Sequence, residues 1–168
     1  MALMTWSSKY SVGVEVLDNQ HKALIDILNE FHAASIRGKA QQVAGPLIRR
    51  MVSQAAEHFA TEERLLESSS YPGLAGHRKA HQELTAKVAE FVLRHEKGDT
   101  TMYMQLLYFM RDWLAKHMQT LDHEYAVSID AVCPAPSRLS RIHSSSSPLA
   151  ISRRHDAKCP FSQEKDAL

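Results

Sequence analysis

Four stretches of this chain repeat apolar residues at three- and four-residue spacing, and each stripe is interrupted by histidine. His58 and Glu62 stand four residues apart, His77 and His81 stand four apart, and His117 and Asp122 follow five apart. His21 precedes them alone. Residues four apart on an α-helix lie about 40° apart around its axis, so each of the first two pairs aims two ligand atoms at one point. A single histidine on an apolar helix face is ordinarily a hydrogen-bonded core residue, and His/Glu pairs also occur on solvated helices. Independent decoration does not explain such groups on the apolar face of every helix, because buried ring nitrogens need partners. Several such pairs on antiparallel helices are the layout of a metal centre inside a bundle.

The periodicity predicts a first helix over about 18–37, with Asp18 as its N-cap and Gly38 closing it. A second starts near Gln41 or Pro46, with proline in the first turn, and runs through His58 and Glu62 to Leu66. Ser68–Gly73 breaks it. A third covers Ala75 to His95, and Lys97-Gly98-Asp99 turns the chain. A fourth covers Thr101 to Asp122, and His123 to Val132 either continues it or caps the bundle. Residues 1–17 alternate apolar side chains but have no second strand to pair with, so they read as an ordered arm. The fold class is therefore all-α, an up-down-up-down four-helix bundle with an N-terminal arm and a C-terminal tail.

The domain spans residues 1–132. From Cys133 the chain is rich in Ser and Pro, with Phe161 its one aromatic residue. Residues 133–168 hold six basic and three acidic side chains, a net +3 within a whole-chain charge of +1. Such a segment buries too little apolar surface to order itself, and disorder is the expectation. The charge gives no nucleic-acid or membrane bias, and no apolar run approaches the roughly 20 residues of a membrane span. The N-terminus shows no leader pattern, so a soluble cytoplasmic protein is expected. Cys133 and Cys159 lack a CxxC spacing and read as spectator thiols. Phosphate loops, nucleophile elbows and internal repeats are absent from the sequence.

Imidazole with carboxylate, and no thiolate, suits iron, zinc, copper or manganese. Seven ligands exceed one tetrahedral zinc and suit two metals that share carboxylates. A carboxylate has two oxygens and bridges, whereas imidazole offers one lone pair, so Glu62 and Asp122 are the candidate bridges. Five neutral histidines leave the cluster more cationic than the four-Glu, two-His sets of di-iron oxidases. That favours reversible oxygen binding over oxygen cleavage.

The pattern resembles the hemerythrin family, and more closely its single-domain bacterial branch, the bacteriohemerythrins. The matching residues are Trp6, Val12-Gly13-Val14, Asp18-Asn19-Gln20-His21, His58-Phe59-Ala60-Thr61-Glu62-Glu63, Tyr71-Pro72, His77 with His81, and Trp113-Leu114-Ala115-Lys116-His117 with Asp122. The resemblance covers about residues 6–126. It implies the same topology, since myohemerythrin is an up-down-up-down bundle. It also implies one iron held by His21 and His58 and another by His77, His81 and His117. Glu62, Asp122 and an oxo or hydroxo group would bridge the two non-haem ions (Fe2+/Fe3+). The implied function is non-enzymatic: reversible dioxygen binding, for storage or delivery to oxygen-requiring enzymes; the single-domain length leans towards a monomer. The alternatives are an oxygen or redox sensor, or a di-iron enzyme acting on peroxide or nitric oxide.

An ideal helix separates His117 and Asp122 by about 140°, so the fourth helix must widen or end there for Asp122 to reach the site. The family uses the same five-residue spacing. Trp113, Leu114 and Met118 are expected to wall the site, with Met118 where relatives commonly carry a branched aliphatic residue. Glu63 reads as a solvated charge or an outer neighbour of the ligands. His123 reads as solvent-facing, His95 as a cation at a helix C-terminus, and His32, His143 and His155 as bystanders.

Overall fold

Glycines in the left-handed region close two of the helices. Gly38 and Gly98, at φ +68° and +78°, turn the chain after the first and third helices. The amides that follow bond back five residues, Lys39 to Ala34 and Asp99 to Arg94. The helices run α1 Glu15–Ile36, α2 Ala40–Ser68, α3 Leu74–Glu96, α4 Met102–Gln119 and α5 Leu121–Val132. The computed structural model describes the backbone of residues 1–132 and the side chains of residues 1–126. The disorder expected of residues 133–168, and both cysteines, lie outside the described residues.

Helix α1 packs on α2 and α4, and α3 packs on the same two, which is the square of an up-down-up-down bundle. Met1–Ser128 forms one compact unit. Its core is filled by Leu24, Leu28 and Phe31 of α1, Leu47, Ile48 and Met51 of α2, Leu84, Val88 and Phe91 of α3, and Leu106, Leu107 and Met110 of α4. None of the helices among the described residues is long and apolar enough to cross a membrane.

Two helix ends differ from the sequence expectation, and a third, the start of α2, decides for the Gln41 alternative over Pro46. Helix α1 begins at Glu15, so Asp18 lies inside its first turns rather than at the cap. It still ties down the entering chain, accepting from Val12 N–H at 2.9 Å and Ser11 Oγ at 2.5 Å. Helix α2 begins at Ala40, which puts Pro46 in its second turn. Pro46 is exposed, so the carbonyl it leaves without an amide partner meets water. The expected fourth helix stops at Gln119, and Thr120 (φ −115°, ψ −81°) separates it from α5.

The arm is ordered and extended apart from one 3₁₀ turn, Ser8–Tyr10. Asn29 of α1 accepts from the Leu3 and Met4 amides at 2.8 and 3.0 Å and donates to the Met4 carbonyl at 2.8 Å. Met4, Tyr10 and Val12 are buried against the bundle.

Candidate metal centre

The seven candidate ligands come from all five helices and meet at one end of the bundle. His21 lies near the start of α1, His58 and Glu62 in the second half of α2, and His77 and His81 at the start of α3. His117 ends α4, and Asp122 is the second residue of α5. None is more than 4% exposed. The break at Thr120 answers the five-residue spacing: the chain re-enters a helix on a new axis and swings Asp122 inward. The Thr120 amide points back at both the Lys116 and His117 carbonyls, the shared bond of a helix end.

The ligand atoms form two groups, each with all its members within 4.8 Å of one another. One is Glu62, His77, His81 and His117; the other is His21, His58, Glu62 and Asp122. Glu62 belongs to both. Its Oε2 lies 2.9 Å from His77 Nε2, 3.2 Å from His81 Nε2 and 3.6 Å from His58 Nε2. Asp122 spans the groups with one oxygen each way, Oδ1 at 3.0 Å from His117 Nε2 and Oδ2 at 3.3 Å from His21 Nε2.

The donor chemistry fits metal ions. His21 Nε2 faces His58 Nε2 at 3.1 Å, and His81 Nε2 faces His117 Nε2 at 3.1 Å. Two nitrogens at right angles on one ion, each about 2.1 Å from it, would lie about 3 Å apart. The outer nitrogen of His58 faces the Gln20 amide oxygen at 3.3 Å and that of His81 faces Glu63 at 2.9 Å. Both acceptors require the proton on Nδ1, which leaves the Nε2 lone pairs pointing inward. Both Asp122 oxygens are buried without an aligned hydrogen-bond donor, although His117 and His21 approach closely. These are charge contacts with unused lone pairs, a costly state unless a cation takes them up.

Electrostatics prepare the same set. Burial lowers His58 to about 4 against the opposing charge of Glu62, so its ring is neutral near pH 7. Burial pushes Glu62 up, but the His77 and His81 rings outweigh it and hold the carboxyl well below its usual range. Asp122 is raised by burial and by Glu62, yet His117 and His21 bring it below its ordinary value. His77 moves up: burial disfavours its cation, but Glu62 favours it more.

Aromatic rings wall the site. Phe59 stacks on His81 at 3.8 Å between centroids, and Trp113 stacks on His117 at 4.2 Å. Leu114 and Met118 are buried, as expected, and Trp113 is half-buried. His123 is exposed, and His95 pairs with Tyr103 Oη at 3.3 Å away from the site. His32 is in neither ligand group.

Three neighbours escaped the sequence reading in whole or part. Tyr125, fully buried on α5, donates its hydroxyl to Glu62 Oε1. Burial, then the charges of Glu62 and Asp122, push its pKa well up, so it remains a donor. It stands three residues after Asp122, one helical turn, a spacing that could have revealed it. Gln20 adjoins His21 in sequence but serves His58. Glu63, expected as either a solvated charge or an outer neighbour of the ligands, is the latter and contacts His81 directly.

Residues 12–127 match the Hemerythrin HHE cation binding domain. The chain is 34% identical over 131 residues to a bacteriohemerythrin of Stenotrophomonas maltophilia, covering 78% of this chain and 84% of that one. It is 28% identical over 120 residues to a myohemerythrin of Sipunculus nudus, covering 71% and 88%. A crystal structure of wild-type hemerythrin aligns with a TM-score of 0.71 at 26% identity, over 76% of this chain and 98% of that one. With the matched span enclosing the whole buried cluster, this chain belongs to the hemerythrin family.

Proposed function

We propose that this protein binds dioxygen reversibly at a non-haem di-iron centre, for storage or for delivery to oxygen-requiring enzymes. His21 and His58 would hold one iron and His77, His81 and His117 the other, with Glu62 and Asp122 shared between them. The observation that carries this reading is the pair of buried ligand groups sharing Glu62, rich in imidazole and free of thiolate. The names of the relatives, hemerythrins and bacteriohemerythrins, support it. When bound, an iron pair supplies two electrons to dioxygen and takes them back on release.

The chain's own residues do the rest. Glu62 and Asp122 contribute two negative charges that offset the metal charge. Tyr125 holds the outer oxygen of Glu62 and so fixes how that carboxylate is presented. Leu114, Met118 and the rings of Phe59 and Trp113 keep bulk water from the histidines. Absorption spectra of the iron-reconstituted protein, with and without oxygen, test the proposal. Two irons per chain and a visible band that appears with oxygen and leaves on its removal support it. Irreversible oxidation would point to redox chemistry instead, and failure to bind iron would overturn the metal assignment.

A further inference from the structure

We infer that Glu63, clamped by Arg78, is a positioning residue that fixes the His81 ring and makes it the strongest electron donor among the five imidazoles. The inference rests on the di-iron reading for its consequence, but not for its geometry. Glu63 is only partly exposed and divides its two oxygens. Oε1 takes His81 Nδ1 at 2.9 Å, and Oε2 takes Arg78 Nε at 3.1 Å. Arg78 also reaches Glu67 at 3.4 Å, one turn further along α2. The four residues stitch α2 to α3 beside the site, with Glu63 and Glu67 on one helix and Arg78 and His81 on the other.

As a surface ion pair, Arg78–Glu63 contributes little stability. Its value lies in what it does to His81. An ionised carboxylate only accepts, so Nδ1 keeps a ring proton, and Nε2, which faces Glu62 and His117, is the nitrogen left for a metal ion. A carboxylate behind a ligating histidine also raises that ligand's basicity. Among the described residues, no other histidine of the cluster meets a carboxylate with its outer nitrogen: His58 has the neutral Gln20 amide, and His21 and His77 have no outer partner. The three-histidine side therefore carries a donor that the two-histidine side lacks. Arg78 keeps Glu63 from turning to solvent.

The first test needs no metal. In metal-free, ¹⁵N-histidine-labelled protein in mildly alkaline solution, His81 should show a protonated Nδ1. Glu63→Ala should lose that preference. Glu63→Gln should keep it, because the amide oxygen still accepts, while withdrawing the charge. In the iron-loaded protein, Glu63→Ala should give up iron to a competing chelator about 10- to 100-fold more readily. Glu63→Gln should fall between that variant and the unaltered chain, with a raised reduction potential despite the kept tautomer. Arg78→Ala, which leaves every contact with His81 in place, should lose affinity in the same direction by less. An unchanged tautomer and unchanged iron retention in Glu63→Ala would overturn the inference. A tautomer shift in a protein that binds no iron would sustain the positioning role and sink the di-iron reading alone.

Discussion

The two halves of the bundle are built on the same helical stripes but filled with opposite chemistry. In one half, the C-terminal part of α1, the start of α2, the end of α3 and the start of α4 bring together Phe31, Leu47, Ile48, Met51, Phe91, Met102 and Leu106. In the other half the same stripes bring together five imidazoles and two carboxylates, all buried. Burying apolar surface drives folding, whereas burying charge opposes it unless the charge is paired. The apolar half can therefore carry the fold while the site half carries groups that folding alone would not select. Stability and function are separated along the bundle axis, about two to four turns apart on each helix.

The largest expected effect breaks this separation from the apolar side. Leu106 is fully buried in the core, and Leu106→Ala should cost about 2–5 kcal/mol whether or not iron is bound. Asp122→Asn should instead lower iron content below two per chain and move the metal-free unfolding midpoint less. Urea melts of the metal-free and iron-loaded forms check both. If Asp122→Asn destabilises the metal-free chain as much as Leu106→Ala does, the two halves are not separable.

A smaller effect is expected at Tyr125, where the halves' chemistries meet in one side chain: an apolar ring packed near His77 and a hydroxyl on Glu62. Tyr125→Phe keeps the ring and strands Glu62 Oε1. Loss of a buried hydrogen bond to a charged group costs about 1.5–3 kcal/mol, measurable in the metal-free protein. A neutral result would mean that Glu62 turns to another donor.

Acid should also distinguish the halves, because the buried histidines and carboxylates all lie in one of them. His58 sits near 4 in the folded chain against 6.5 in the unfolded one. As pH falls from 6.5 to about 4, the unfolded chain takes up a proton that the folded chain resists, and stability falls. His77 works the other way: its contribution is fully present below 6.5 and is lost as pH rises through its raised folded value. Glu62 and Asp122, both lowered, stabilise above 4.5 and 3.8 and lose that contribution as pH falls further. The metal-free protein should therefore soften gently below pH 6.5 and steeply below 4.5. His58→Gln should remove the fall between 6.5 and 4 and leave the steeper one. A parallel curve for this variant would assign that window to another group.

The apolar half was nearly all legible in the sequence, because three- and four-residue spacing encodes which face is buried. The bundle, the arm and the cluster of candidate ligands follow from it. What periodicity misses is direction at the ends and beyond the nearest neighbour. Asp18 resembles a cap by residue type, yet the backbone starts the helix earlier and uses its carboxylate to hold Ser11 and Val12. The spacing of His117 and Asp122 requires the fourth helix to widen or end but does not say which; the break at Thr120 decides it. For Glu63 the sequence leaves open a solvated charge or an outer neighbour of the ligands, and the choice falls to a long side chain that reaches the neighbouring helix, which the geometry of one helix does not include.

The smallest effect should come from the apolar wall of the site. Met118 is buried directly after His117. Met118→Ile is close to a volume-conserving exchange and should change stability by less than about 1.5 kcal/mol. The difference lies in stiffness: methionine has more rotatable bonds and an oxidisable sulfur, whereas isoleucine is held by its branch at Cβ. A stiffer wall admits water and anions to the histidines less often, so the oxygenated form of Met118→Ile should persist longer than that of the unaltered protein. The decay of its visible band under air measures this directly. Equal lifetimes with an unchanged melting midpoint would show that the wall works by its volume alone, and that oxidation is controlled from the ligand side of the site.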